Sequence, residues 1–123
     1  MSNSQVWAIY YNQTIANGGG TFHILDTHSI TTGYAVGAIA DTFAIVPVKD
    51  TLAFGRAIRA IRQQYMLGSE HVKVDAIGTW VDAGMIYIDP VKVVATEAEA
   101  IKIAKANNQL AYFNLNENKE VRL

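Results

Sequence analysis

The fold is decided by residues 78–115, GTWVDAGMIYIDPVKVVATEAEAIKIAKANNQLAYFNL. This stretch predicts a tight hairpin, an extended segment, a helix and a final strand. Thr96 and Glu99 have the spacing of a capping box, in which each side chain can satisfy a backbone amide at the start of a helix. Asn107-Asn108 would end that helix, because asparagine tolerates the left-handed conformation of a helix C-terminus. The stretch contains no pattern that is typical of a catalytic centre.

The residues before this stretch predict several strands and one further helix. β-Branched and aromatic residues predict strands at 6–10, 21–25, 33–38, 42–48 and 72–81. Asp50 would cap a helix to about residue 67, with a buried stripe formed by Phe54, Ile58, Ile61 and Tyr65. The sequence therefore predicts a single α+β domain over residues 1–123, in which an N-terminal antiparallel sheet is followed by a helix, a β-hairpin, a helix and C-terminal strands.

The register of the hairpin determines where two aromatic rings lie. A three-residue loop, Asp82-Ala83-Gly84, would place Trp80 opposite Ile86 and Thr79 opposite Tyr87. The two rings would then project from opposite faces of the hairpin. We expect Trp80 to pack in the core, and the alternative is an exposed ring that is available for stacking.

The composition excludes several classes of protein. Half of the 123 residues are hydrophobic and 17% are charged, which is inconsistent with a disordered chain. The absence of cysteine excludes disulfides, thiolate metal sites and cysteine nucleophiles. The N-terminal residues lack the pattern of a signal peptide, and the apolar runs are shorter than a membrane span. We therefore expect a cytoplasmic protein that does not bind membranes.

The charge is nearly neutral overall but unevenly distributed. The net charge is −1, which argues against a protein that binds duplex nucleic acid through many phosphate contacts. Residues 1–48 contain no Lys or Arg, and such a surface would favour self-association into a homo-oligomer. Arg56 and Arg59 fall on the outer side of the first predicted helix. They form either a solvated helix face or a clamp for an anionic ligand.

The sequence contains no convincing catalytic or metal site. The glycines at 18–20 lack the Lys-Ser/Thr of a phosphate-binding loop, so we expect a flexible turn there. His23, Asp26 and His28 do not have the spacing of a metal site, and neighbours within one turn rarely converge as a catalytic triad. An enzyme that uses these three residues is the least favoured hypothesis. We predict no enzyme, no cofactor and no metal.

Three segments resemble a known group of small phage-encoded proteins. Residues 33–36 (GYAV), 78–82 (GTWVD) and 99–115, with Asn107-Asn108-Gln109, are similar to the first Thoeris anti-defence sponge family. The resemblance extends over most of the chain from about residue 33. It implies a protein that is not an enzyme, forms oligomers that are typically hexamers, and sequesters cyclic ADP-ribose-like immune signals. It also implies that cyclic oligonucleotides, such as those of CBASS signalling, are alternative ligands, and that the protein acts in the host bacterial cytoplasm.

A ligand of this kind requires arginines for its phosphates, a ring for stacking, and amides for its base and ribose edges. The candidate ligand-binding residues are Arg56, Arg59, Trp80, Tyr87, Asn107, Asn108 and Gln109. Family members carry an arginine near the end of the second helix, where this chain has Asn108-Gln109-Leu110, so the contacts there would differ. The alternative function is binding of a host protein, through the Arg56/Arg59 helix face or through an exposed sheet edge.

Overall fold

The structure, a computed structural model, describes residues 3–25, 27–39, 41–66 and 74–123. The described residues form three helices and seven strands, which confirms the α+β class. In chain order these are α1 (Asn3–Asn17), β1 (Gly19–His23), β2 (Tyr34–Gly37), β3 (Ala44–Pro47), α2 (Thr51–Met66), β4 (Ala76–Asp82), β5 (Met85–Val94), α3 (Glu97–Ala106), β6 (Ala111–Asn114) and β7 (Lys119–Arg122). Within the described ranges, no helix has the length and apolarity that crossing a membrane requires.

All the strands belong to one antiparallel sheet in the order β1-β4-β5-β2-β6-β7. The ten-residue strand β5 organises this sheet. Along one edge β5 pairs with β4, and along its other edge β3 pairs with residues 85–88 while β2 pairs with residues 91–94. Because β5 spans both partners, the N-terminal and C-terminal strands are joined in a single surface.

Helices α1 and α2 pack on one face of this sheet. Ile77 of β4 and Ile88 of β5 project from that face and are fully buried. Tyr10 of α1 and Phe54 of α2 belong to the same hydrophobic cluster. This cluster is the main core of the protein.

Helix α3 packs farther along the same face. Ala100 and Ala104 are fully buried and contact Val36 of β2 and Tyr112 of β6. The strand register places Val36 and Tyr112 on the same side of the sheet as Ile88. We call this side, defined by the helix-packed residues, the covered face. The opposite side carries no helix within the described residues, and we call it the open face.

The predicted limits of α2 and α3 are largely confirmed. Asp50 Oδ1 accepts the Ala53 amide at 3.0 Å at the start of α2, and the predicted apolar stripe of α2 is buried. Thr96 accepts the Glu99 amide at 3.3 Å and donates its hydroxyl to Glu99 Oε1 at 2.8 Å. Asn108 follows α3 with a φ of 56°, as the left-handed ending requires. The predicted end of the first of these helices at residue 67 and the first residues of the 72–81 strand lie outside the described residues.

The prediction of a strand at 6–10 was wrong, because these residues lie within α1. Tyr10 and Thr14, one helical turn apart, are both fully buried, and the Tyr10 ring packs on Phe22 with centroids 5.0 Å apart. Strand-forming composition was outweighed here by the packing of a helical stripe on the sheet. The expected flexible turn at 18–20 is also corrected. Gly18 ends the helix with a φ of 76°, while the next two glycines belong to β1.

The predicted hairpin register was wrong by one residue. The loop is Ala83-Gly84, with φ values of 50° and 77°, and Asp82 pairs with Met85. Two left-handed residues form the tight turn whose twist matches paired strands, so the loop is shorter than predicted. Trp80 therefore pairs with Tyr87, and both rings lie on the same face. Trp80 is 53% exposed, which also contradicts its expected core position.

Candidate functional site

The open face of the sheet forms a concavity of about 1140 Å³. Strands β1, β4, β5, β2, β6 and β7 line it, and residues 29–31, 39, 41–42 and 108–110, together with Gln13 and Asn17 of α1, border it. This volume is slightly larger than the roughly 300–1,000 Å³ typical of small-molecule sites in proteins, so the concavity has room for a small-molecule ligand. The concavity is therefore the candidate functional site.

A row of apolar side chains crosses one end of the concavity. Ile45, Tyr87 and Trp80 are neighbours across β3, β5 and β4, and Gly19 of β1 is the next position in the row. A Cβ atom at Gly19 would lie 3.2 Å from the Trp80 ring and 2.6 Å from the Thr79 carbonyl oxygen. The missing side chain at Gly19 thus lets the indole lie close to the backbone of β1. The row leaves two adjacent aromatic rings accessible for stacking.

The next row of the open face is hollow and polar. Thr21, Gly78 and Asp89 are neighbours across β1, β4 and β5. Asp89 Oδ1 accepts the Phe43 amide at 3.0 Å. Burial raises the pKa of the Asp89 carboxyl above its usual value, and the Phe43 amide partly opposes this by stabilising the charged form. The glycine leaves space beside the carboxylate.

Two of the three predicted amide side chains are bonded within the fold. Asn107 Nδ2 donates to the Gly37 carbonyl at 3.0 Å, and Gln109 Nε2 donates to the Ile39 carbonyl. The two bonds fasten the end of α3 to the last residue of β2 and to the chain just after it. Gln109 and Asn108 still line the concavity, whereas Asn107 does not.

The charge of the concavity is nearly balanced. Its charged lining residues are three acids and two bases: Asp41, Asp89, Glu120, Lys119 and Arg122. Each base lies close to an acid, with Arg122 Nε 3.3 Å from Glu120 and Lys119 Nζ 2.8 Å from Glu117. These pairs are exposed and contribute little to stability, so both cations can reorient toward a ligand.

Arg56 and Arg59 lie on the other side of the molecule. Both are exposed on α2, whose buried residues pack on the covered face. Neither lines the concavity. Within one chain, the structure therefore brings together Trp80, Tyr87, Asn108 and Gln109 but does not bring the two arginines to them.

The structure brings into contact the two histidines of the hypothesis that involves His23, Asp26 and His28. The His23 and His28 rings are stacked with centroids 5.0 Å apart and an interplanar angle of 19°. The Leu25 amide donates to His23 Nδ1 at 3.2 Å, which makes that nitrogen an acceptor. Asp26 lies outside the described residues. Among the described residues, no group of three or more His, Cys, Asp or Glu side chains is arranged to hold a metal ion.

Asp89 was not among the predicted site residues, although the sequence contained the signal. Residues alternate in direction along a strand, so Tyr87 and Asp89 in the segment IYID share a face. The alternation would have placed the carboxylate beside the ring once the correct hairpin register was known.

Comparison of the chain with models of protein families, with curated proteins and with solved structures finds no match. The candidate site therefore rests on its own geometry. An aromatic row, a glycine-lined hollow and a partly buried carboxylate are combined on one open sheet face.

Proposed function

We propose that the open face binds a cyclic ADP-ribose-like or cyclic oligonucleotide immune signal and sequesters it without cleaving it. The observation that carries this proposal is the pairing of Trp80 with Tyr87 above the Gly78 hollow. Two accessible rings next to a recess suit a ligand whose base stacks on the rings and whose sugar occupies the recess. The proposal places the protein in the bacterial cytoplasm, where such signals act.

Sequestration makes different demands on a protein than catalysis does. It requires tight binding of the ground state and slow release, and it requires no activated nucleophile. Stacking of one base on an aromatic side chain contributes roughly 1–3 kcal/mol. The aromatic row and the amide side chain of Asn108 are groups that bind a base and a sugar.

The phosphates of such a ligand require positive charge beyond what one chain places in the concavity. Arg122 lines the concavity and is one candidate, since its partner Glu120 holds it only through an exposed ion pair. We further propose that the protein is a homo-oligomer in which Arg56 and Arg59 of a second copy approach the open face of the first. This arrangement accounts for the separation of the two arginines from Trp80 within one chain.

Calorimetric titration with cyclic ADP-ribose isomers and with cyclic dinucleotides and trinucleotides tests this function. Heat denaturation of the complex should release the ligand chemically unchanged, as measured by chromatography. Binding to none of these compounds would remove the proposal, and recovery of an altered ligand would identify an enzyme instead.

The two tryptophans offer a matched pair of variants for the same titration. Trp80→Ala removes the exposed ring and should weaken binding by about fivefold or more, since it removes a stacking contact of ~1–3 kcal/mol. Trp7→Phe is the control, because Trp7 lies on α1 against Gly55, where a Cβ atom would be 3.3 Å from the indole. Equal loss of affinity in both variants would argue against a site at Trp80.

A further inference from the structure

Asp89 is the least exposed of the charged residues that line the concavity. It lies two residues from Tyr87 on the same face of β5, a separation of about 7 Å along a strand. Its cross-strand neighbour is Gly78, which contributes no side chain. A Cβ atom at Gly78 would have Val91 Cγ1 as its nearest contact, at 3.1 Å. Gly78 itself therefore does not cover the carboxylate, the Val91 side chain reaches into the space above Gly78, and Asp89 lines the concavity.

The hydrogen-bonding capacity of Asp89 is only partly used within the fold. A carboxylate accepts about four hydrogen bonds, and the structure gives Asp89 one, from the Phe43 amide to Oδ1. Among the ion pairs of the described residues, none involves Asp89. A partly buried carboxylate is costly unless further donors reach it. Those donors can come from a ligand in the concavity.

The charge and position of Asp89 indicate which group of a ligand would donate hydrogen bonds to it. A phosphate would be repelled by the carboxylate, so the anionic part of a ligand cannot lie here. A base stacked on Trp80 and Tyr87 would carry its ribose at about the distance of Asp89 from the ring row. The two adjacent hydroxyls of a ribose match the two oxygens of one carboxylate, and a carboxylate is the group by which dinucleotide-binding folds recognise ribose.

We propose that Asp89 determines the specificity of the site by accepting hydrogen bonds from the 2′- and 3′-hydroxyls of a ribose whose base stacks on Trp80 and Tyr87. This rests on the proposed function in so far as the ligand contains a nucleoside. It adds the recognition of ribose over deoxyribose and assigns that recognition to one side chain.

The test is a cycle of two ligands and two proteins, measured by ligand-observed NMR titration. The ligands are adenosine and 2′,3′-dideoxyadenosine, and the proteins are the native chain and Asp89→Asn. We expect the native protein to prefer adenosine by about tenfold or more, the effect of losing charge-assisted hydrogen bonds. Asp89→Asn should remove most of that preference and leave dideoxyadenosine binding within about twofold.

Asp41→Asn is the matched control, because Asp41 also lines the concavity but is exposed at its border. It makes the same change of charge and should preserve the preference for adenosine. Equal weakening of both ligands by Asp89→Asn would assign Asp89 a structural role and overturn the proposal. Equal binding of the two nucleosides by the native protein would also overturn the proposal. In that case the site would recognise the base, for example its amino group, and not the ribose.

The outcomes separate this inference from the proposed function. Tight binding of a cyclic nucleotide that Asp89→Asn leaves unchanged would overturn the role of Asp89 and retain sequestration. Ribose preference that depends on Asp89, with no binding of any cyclic nucleotide, would support the inference and remove the sequestration proposal. Failure of the native protein to bind either nucleoside or any cyclic nucleotide would remove both.

Discussion

The hairpin of β4 and β5 has two faces with opposite properties. On the covered face, Ile77, Ile86 and Ile88 are fully buried beneath α1 and α2. On the open face, the alternating positions of the same strands carry Trp80 and Tyr87, and Trp80 is 53% exposed. The comparison shows how one hairpin can support stability with one set of side chains and offer a binding surface with the other, because strand residues alternate in direction.

The largest expected effect is on stability, and it should differ between substitutions on the covered face and on the open face. Ile88→Ala creates a cavity in the main core and should lower the free energy of unfolding by about 2–5 kcal/mol. Trp80→Ala should lower it by less than about 1 kcal/mol, because the indole is half exposed. Urea unfolding monitored by circular dichroism measures both. A Trp80→Ala variant as unstable as Ile88→Ala would show that the open face is part of the core.

Two glycines on neighbouring strands provide a finer comparison. A Cβ atom at Gly20 would lie 2.5 Å from the ring of Phe22, which is only 1% exposed. Gly20→Ala must therefore displace a buried ring and should cost about 1–3 kcal/mol of stability. At Gly78 the nearest atom is Val91 Cγ1 at 3.1 Å, so Gly78→Ala should cost less than about 1 kcal/mol.

The same pair should rank in the opposite order for ligand binding. Gly78→Ala places a methyl group in the hollow next to Asp89 and should weaken binding, whereas Gly20→Ala changes the covered face and should leave affinity nearly unchanged in the folded fraction. Unfolding midpoints and calorimetric titrations of the two variants measure this crossed pattern. If a single variant lost both stability and ligand affinity while the other retained both, the two faces of the sheet would not act independently.

Sequence patterns predicted the elements with strong local signals. The stripe from Phe54 to Tyr65 and the cap formed by Thr96 depend on spacing within a single helix, and both predictions were confirmed. The other half of the predicted capping box differs, because Glu99 accepts the Thr96 hydroxyl. Residues 6–10 were misassigned as a strand, because their aromatic composition does not reveal that Tyr10 and Thr14 pack as a helical stripe on a distant sheet. Local composition is a weaker signal than tertiary packing at such positions.

The candidate site was harder to predict because it depends on register and on faces. The sequence prediction assigned one residue too many to the hairpin loop and therefore placed Trp80 and Tyr87 on opposite faces. In the structure they are cross-strand partners on the same face. The arginines on α2 were grouped with Trp80 by chemistry alone. Only the packing of the helix stripe on the covered face shows that they lie on the other side of the chain.

Asp89 should make the open face sensitive to pH. Burial raises its pKa above the usual 3.8, so the folded state holds a proton that the unfolded state releases in the range just above 3.8. The stability contributed by this group is therefore greatest at low pH and falls as the pH rises through the raised pKa. Asp89→Asn mimics the protonated form and removes this dependence.

Urea unfolding of the native protein and Asp89→Asn at about pH 4 and about pH 7 measures the effect, since ordinary Asp titrates near 3.9. We expect the stability of the variant relative to the native protein to be higher at the neutral pH than at the acidic pH. A relative stability that is constant or that falls between the two conditions would contradict the burial of Asp89.

The smallest effect on stability should come from Arg56→Glu combined with Arg59→Glu. Both side chains are exposed on α2, and such changes usually alter stability by less than about 0.5 kcal/mol each. Their effect on ligand affinity should be large if a second copy supplies these arginines to the open face. Because Trp80 lies on the opposite side of the same chain, the two groups can meet only between two copies.

Mixing two defective variants tests this arrangement sharply. Trp80→Ala retains the arginines, and the double arginine variant retains the aromatic row, so an oligomer assembled from both contains some sites with every native group. After the variants are mixed and reassembled, calorimetric titration should recover a fraction of native binding that neither variant shows alone. Native affinity in the double arginine variant, together with a monomeric mass by light scattering, would place the complete site within one chain. In that case the α2 surface would be left for a different partner, and the two faces of the sheet would have separate functions.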